Sequence, residues 1–449
     1  MNYWKITLLA LMISIVLTGC ANTEDIFGRE TGCGKRKQME DRRIGIGFAT
    51  GRRNFKKVLF SHLRTWEASK KEFSGEERVS LHLFVAYDVE YRDTKSTDYT
   101  NLPQEIVDVF ESITFVGEKN TLRSLEQIRG SGRYTSEDIE ALFGSGYAGK
   151  RNEVLFAAIE SKMDCLLFLD DDEYPMAVTK KNDVCLWSGQ KVIASHLKKI
   201  AKADYTHGYH CGYISPIPQV RFNETLPETT FRMFIEAISN DIVNWDEIKR
   251  LVESGGVTYA STEILVSQET QAVPQLNGCK FISGANLCIN LTDPQKTFPF
   301  FNPPGARGED TFLSTLLQER TVLKIPCYTF HDGFSSYPDL LEGSLPIQLK
   351  PMIVGPADIN ERFLNACIGW IRYKPLLIFI TDPDNYTQRM KCIRQALEAT
   401  LPIMSVYFAD GRFLDILTEF EKYSREVERH HRLFQTVQDT WAHIINGMV

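Results

Sequence analysis

The sequence predicts an α/β fold, a doubly wound and mostly parallel sheet flanked by helices, followed by a mainly helical C-terminal extension. Three observations predict it. From Arg43 onward, short apolar runs of strand length alternate with runs of helical spacing, joined by short links. One such run, Cys165 to Leu169, is wholly apolar and ends abruptly in Asp170-Asp171-Asp172-Glu173-Tyr174-Pro175. A short, bounded apolar run of this kind reads as a buried strand of a parallel sheet. From about Asp358 the chain keeps helical spacing almost to its end.

The chain begins with Lys5 ahead of an apolar run, Ile6 to Leu17, that closes Leu17-Thr18-Gly19-Cys20. A positive start, an apolar stretch of this length and small residues before a cysteine make a secretory signal or membrane anchor over 1–20. The last four residues resemble the bacterial lipoprotein lipobox, which implies lipidation of Cys20. Residues 21–42 then form a tether. The run is short for a span, which needs ~20 apolar residues. The basic flank Lys35, Arg36, Lys37, Arg42 and Arg43 favours the cytoplasmic side and opposes export. Association with the membrane through the N-terminus is expected, on a side left open. A later start at Met39, or a lumenal enzyme with sequons at Asn223 and Asn385, are the alternatives.

Ile44 to Ala49 reads as the first strand. Thr50-Gly51-Arg52-Arg53-Asn54 is a polar turn, and Phe55 to Trp66 has helical spacing. A glycine-bearing turn at a helix start can cradle phosphate. Val79 to Tyr87 is a second strand closing at Asp88, an acid able to accept from a base or ribose, or merely an exposed strand end. Ile113 to Val116 is a third strand, and Thr135 to Leu142 a helix. The loop Gly144 to Asn152 carries Lys150 and Arg151 and opens a helix, Glu153 to Lys162. Its glycines permit close backbone approach and its cations suit a diphosphate. The spacing is not that of a P-loop.

The four acids then lie at the carboxyl end of a strand, where open α/β sheets place their ligands. In extended backbone Asp170 and Asp172 point to one side. Carboxylates so close repel unless a cation sits between them, and hard oxygen ligands suit Mg2+ or Mn2+ beside phosphate. The bland alternative is an acidic turn ending a strand in water. Val184 to Ala203 contains a helix, and Tyr205 to Ile217 is a mixed strand. Residues 219–275 form a polar stretch with helical pieces, read as an acceptor-side insertion. Phe281 to Leu287 is strand-like and broken by Gly284. Asn302 to Gly308 is a Pro/Gly-rich loop, and Glu309-Asp310 opens a helix. Acids there cap a helix dipole, or one of them serves as a general base. Val322 to Tyr328 is a strand followed by His331, a plausible metal ligand at a strand end.

At 449 residues, 43% apolar and 24% charged, the chain has a globular composition and can bury a large core. Its net charge of −7 argues against a general nucleic-acid partner. Ten scattered cysteines, with no CxxC pair, argue against a zinc module.

In order, these motifs resemble those of nucleotide-sugar-dependent glycosyltransferases of the GT-A fold, most like the broad family-2-type group. The resemblance runs from Arg43 to Phe334, so 43–340 is read as the catalytic domain and 341–449 as a helical C-terminal region outside the match. It implies that Thr50-Gly51-Arg52 is the nucleotide-binding opening and Asp88 the base-side acid. Lys150-Arg151-Asn152 resembles the segment preceding the DxD strand. Asp170-Asp171-Asp172 is the DxD motif, with Asp172 the principal metal ligand and Asp170 on the nucleotide sugar and metal. Gly284-Ala285-Asn286 resembles the acceptor-side Gly-Gly-Asn segment, with alanine for one glycine. Glu309-Asp310 would supply the base, Asp310, of an inverting reaction, and His331 a further ligand to Mn2+ or Mg2+. The implied partners are a nucleotide-diphosphate sugar and a glycan, lipid or small-molecule acceptor. Two other readings compete. One is a haloacid-dehalogenase-type phosphotransferase with Asp170 as nucleophile, against which Tyr174 stands where Thr or Val is usual. The other is a non-enzymatic lipoprotein binding sugar or Ca2+.

Overall fold

The computed structural model describes residues 41–73, 78–117, 122–239 and 245–448. The expected anchor, Cys20 and nearly all of the tether lie outside the described residues. The strands are β1 (Asp41–Thr50), β2 (Arg78–Tyr87), β3 (Ser112–Val116), β4 (Cys165–Phe168), β5 (Glu173–Tyr174), β6 (Met176–Lys181), β7 (Val184–Gly189), β8 (Tyr205–Gly212), β9 (Gln271–Ala272), β10 (Leu287–Asn290) and β11 (Val322–His331). Helices α1 (Phe55–Ser69), α2 (Ser96–Thr100), α3 (Gln104–Val107), α4 (Arg123–Gly130), α5 (Ser136–Phe143), α6 (Tyr147–Glu160) and α7 (Val192–Ile200) lie among the first eight strands. They are followed by α8 (Glu228–Ile238), α9 (Trp245–Glu253), α10 (Thr262–Ser267), α11 (Glu309–Thr315), α12 (Ala357–Thr381), α13 (Tyr386–Tyr407), α14 (Asp415–Arg425) and α15 (Val427–Asn446).

The main sheet runs β3-β2-β1-β4-β10-β8-β11-β5, with β9 added beside β11. Strands β3, β2, β1 and β4 are mutually parallel. β10 runs against both β4 and β8, and β11 returns to the direction of β8. The strand order reverses between β1 and β4, and a crevice opens at the carboxyl ends of such a pair. β1 ends at Thr50 and β4 at Phe168, so the polar turn and the acids meet there.

Both faces of the sheet are covered, and the alternation of side chains shows it. Cys165, Leu167 and Leu169 join one core with Ile44, Ile46, Phe48 and the buried side of α1. Leu166 and Phe168 join the other, with Phe84, Val154 and Phe156. Gly47 lets α6 approach β1 closely, because a Cβ there would stand 2.8 Å from Val154 Cγ1. Tyr373, Leu376, Phe434 and Trp441 of the C-terminal helices belong to this second core. The helical region therefore packs on the sheet, and the described residues form one compact unit. Helix α12 is long and apolar enough to cross a membrane by composition alone, yet two thirds of its most apolar window is buried within the protein. That burial is what a core helix needs.

Local structure departs from the sequence reading at Phe281 to Leu287, where the strand begins only at Leu287 as β10, and at the start of α6. The helix read within Val184 to Ala203 is α7, preceded by the hairpin β6–β7. Asn182 and Asp183 take positive φ at its turn, as a two-residue hairpin loop requires. Helix α6 begins at Tyr147, not Glu153, so Lys150, Arg151 and Asn152 are helical. Gly146, at φ +93°, supplies the turn that lets it start early.

Among the buried histidines, His62, His196 and His207 lie in or against the sheet. His196 bridges Thr206 Oγ1 at 2.7 Å and Asn286 Oδ1 at 2.8 Å, a pairing suited to the neutral ring. Burial lowers His62 and His196 to about 4 each, and His207 well below its ordinary value. A depressed folded-state value means the stability is complete above about pH 6.5 and is lost as pH falls toward 4. Each of His62 and His196 contributes about 3 kcal/mol to that loss. Urea unfolding between pH 7 and 4 is expected to show the decline. His196→Gln should reduce its slope by up to one proton's worth, about 1.4 kcal/mol per pH unit.

Candidate active site

The turn after β1 and the acids after β4 are bound to each other. Thr50 donates from Oγ1 to Asp171 Oδ2 at 2.5 Å and accepts from the Arg52 amide at 3.1 Å. Arg52 Nη1 lies 3.1 Å from Asp171 Oδ1 and also binds Asp172 Oδ2. Gly51 leaves room for the ring of Tyr91, whose Cβ would otherwise be 2.7 Å from a side chain. Tyr91 and Tyr147, both partly exposed, meet edge to face at 6.1 Å beside Arg52. Asp88 accepts from the Glu90 amide at 2.9 Å, and its own amide donates to Thr50. It stands at the rim of the crevice.

The chain leaves the strand after Phe168 and turns at Asp171-Asp172. Extended alternation therefore ends before the acids, and the carboxylates divide differently from the sequence expectation. Arg52 bridges Asp171 and Asp172, while Asp170 turns to Arg151 Nη2 at 2.8 Å. Burial raises Asp171 to about 7, helped by Asp172 and opposed by Arg52. Asp172 is instead held well below the usual carboxylate range. Burial resists its charge, but His331 and Arg52 outweigh burial. Burial likewise raises Asp170 against the pull of Arg151.

His331, at the end of β11, faces Asp172 Oδ2 at 3.3 Å through Nε2. Its Nδ1 lies 2.5 Å from the Tyr213 carbonyl, which can only accept. In the neutral ring Nδ1 therefore carries the proton and Nε2 turns a lone pair toward a carboxylate. Two lone pairs so placed need a cation between them. In the metal-free protein a proton serves: burial works against it, yet Asp172 raises His331 to about 9.

Arg151, 2% exposed, ties the two halves of the crevice together. It donates to the Gly284 carbonyl at 2.6 Å, binds Asp170 and lies 3.6 Å from Glu309. Gly284 in turn donates from its amide to Asp310 Oδ2 at 3.3 Å, and Thr311 donates to Asp310 Oδ1 at 2.8 Å. Burial raises Glu309, with Asp310 adding and Arg151 opposing. Gly308, at φ +98°, sets the start of α11, and a Cβ there would be 2.9 Å from the Tyr373 ring. Removing the buried Arg151 charge leaves the partly exposed Asp170 and Glu309 unpaired, a change that costs less than the ~3–5 kcal/mol of a fully buried pair because water screens the carboxylates. Arg151→Met is therefore expected to lower the urea midpoint, and Arg151→Lys to recover only part of it.

Other expected site residues have different duties. Asn152 bonds the Leu142 and Phe300 carbonyls and the Phe300 amide, pinning the loop before α11. Lys150 pairs with Glu153 at 2.8 Å. Asn286, at φ +50°, bonds His196 and the Tyr209 carbonyl beneath the site, and Ala285 is buried beside it.

The sequence reading missed Arg362, on α12. It donates to the Gly333 carbonyl and stacks on Phe334 at 4.4 Å. A Cβ on Gly333 would collide with its guanidinium and stand 2.8 Å from His331 Cε1, so the two cationic groups are close neighbours. Burial lowers Arg362, Asp172 pulls the other way, and Arg52 and Arg307 add to the lowering. No local motif marks a residue that docking of α12 brings in from another region. Tyr91 had a weak signal, an aromatic three residues beyond a strand-end acid.

Among the described residues no three His, Cys, Asp or Glu side chains form a ready metal cage. Mg2+ and Mn2+ bridging to phosphates need only one or two protein carboxylates, the substrate supplying the rest. Asp172 and His331 fit that requirement: the second ring nitrogen of His331 rests on a backbone carbonyl, as ligating histidines usually do. No protein-family model matches the chain, and no curated protein matches it either.

Proposed function

We propose that the protein is a metal-dependent glycosyltransferase of GT-A type, transferring a sugar from a nucleotide diphosphate to an acceptor hydroxyl. The observation that carries this reading is the convergence of Arg52, Asp172 and His331 with Glu309 and Asp310 across Arg151 at one strand-order reversal. Cations for a diphosphate thus stand at one side and a carboxylate for proton abstraction at the other.

Asp172 and His331 would hold Mn2+ or Mg2+, with Asp170 beside them, and the ion would supply charge stabilisation for the departing diphosphate. Arg52 and Arg362 orient the phosphates, and Tyr91 and Tyr147 flank the nucleoside. Asp310 takes the acceptor hydroxyl's proton at Oδ2, the oxygen held by the longer amide contact. The acceptor oxygen bonds to the anomeric carbon as the bond to phosphate breaks, its electron pair leaving with the nucleoside diphosphate. Asp170 is bound to Arg151, an arrangement that suits orientation better than nucleophilic attack.

The reading requires that metal and nucleotide bind together. Calorimetry should show Mn2+ binding at least about tenfold more tightly when saturating UDP or GDP is present. Arg362→Gln should weaken the nucleotide by about tenfold without weakening Mn2+ alone, since a neighbouring cation is removed from the metal's ligands. Independent binding of metal and nucleotide would count against the proposal.

A further inference from the structure

A cavity of about 690 Å³ opens between residues 214–239 and 247–259 on one side and α12 on the other, within the size range of small-ligand sites. Ile217, Ile248, Leu251 and Val257 give it an apolar wall, and the partly exposed Ile214 stands at its lining. It adjoins the active site from two directions. Trp370 and Tyr373 also line the smaller cleft against Gly308, Glu309 and Asp310. Ile214 and Ser215 directly follow Tyr213, whose carbonyl faces His331.

The cavity also carries positive charge. Lys324 and Arg250 line it, and no ion pair joins either to a carboxylate among the described residues. Lys324 rests on the Tyr209 ring at 4.2 Å. Burial lowers its ammonium, with Glu247, itself a lining residue, opposing. A partly buried, unpaired cation over an apolar wall is complementary to an anionic group on a hydrocarbon chain.

We infer that this cavity seats the hydrocarbon chain of an anionic amphiphilic acceptor, its anionic group against Lys324 and Arg250 and its hydroxyl delivered past Trp370 and Tyr373 to Asp310. The inference rests on the transferase reading and narrows its acceptor to an amphiphile. A soluble glycan would leave the apolar wall uncovered.

The test uses the full chain and a bromine-terminated alkyl phosphate, because bromine quenches nearby tryptophan. Saturable quenching is expected, with most of it lost in Trp370→Phe. Lys324→Gln should weaken the alkyl phosphate about tenfold while leaving the matching alkyl alcohol unchanged, the loss of one charge-assisted contact. Ser254→Phe, which fills the cavity, should abolish binding of both. Nucleotide release from the sugar donor is measured in parallel, and it should rise when an alkyl-chain acceptor is added. Donor hydrolysis without any quenching, or quenching that stays as in wild type in both Trp370→Phe and Lys324→Gln, overturns the amphiphile assignment alone. Quenching with no nucleotide release from any donor overturns the transferase reading, and with it the acceptor role.

Discussion

Asp310→Asn is expected to lower kcat by about 10²–10⁴-fold, the usual contribution of a positioned acid or base. Asparagine has one carbonyl oxygen, which can keep the 2.8 Å contact from the Thr311 amide while the longer contact from Gly284 is given up, so the start of α11 and the approach of Tyr373 should survive. What it cannot do is accept a proton. The loss should therefore fall on kcat, with donor affinity and the unfolding midpoint nearly unchanged. Glu309→Gln provides the contrast. Glu309 is raised by burial and lies near Arg151, so its removal should disturb Arg151 and cost stability before chemistry. Equal losses of kcat in the two variants, with no difference in stability, would remove Asp310 from its assigned role.

Asp172→Asn should lower metal-dependent turnover on a comparable scale, by about 10²–10³-fold from lost charge stabilisation alone. The change has a second consequence in the metal-free protein. His331 is raised to about 9 because Asp172 favours its charged form over the cost of burial. A raised folded-state value contributes stability below about pH 6.5, which is lost as pH rises through about 9. In Asp172→Asn that attraction is gone while burial persists and only the weaker pull of Glu173 remains, so His331 should titrate well below its wild-type value. An NMR titration of the His331 ring in wild type and variant measures that fall directly. An unchanged titration would mean that the two groups do not interact as their 3.3 Å separation requires.

The parts of the site that were readable in the sequence are those where backbone pattern and chemistry coincide. Cys165 to Leu169 could be read as a buried strand because every residue in it is apolar, and the acids after it then had to lie at a sheet end. That Thr50 to Arg52 would share a site with those acids was implied by the resemblance in motif order, not by the alternation of strands and helices. Three things were not readable, each for a physical reason. The direction of Asp170 depends on where the chain stops being extended, and no residue in the acid run announces the turn. The early start of α6 depends on positive φ at Gly146, one of three nearby glycines able to supply it. Arg362 reaches His331 only because α12 docks across the sheet through Tyr373 and Leu376, a long-range packing event with no local signature. The same docking forms the apolar cavity, which is why the acceptor's character could not be read from the motifs.

The most direct test of the transferase account is release of free nucleotide from a panel of UDP- and GDP-sugars by the purified full chain. Wild type and Asp172→Asn are compared with Mn2+ and with a chelator. The account predicts release from at least one donor, dependent on Mn2+ and lost in the variant although it remains folded. Folded wild-type protein that releases nucleotide from no donor, or releases it equally with chelator and in Asp172→Asn, would contradict it.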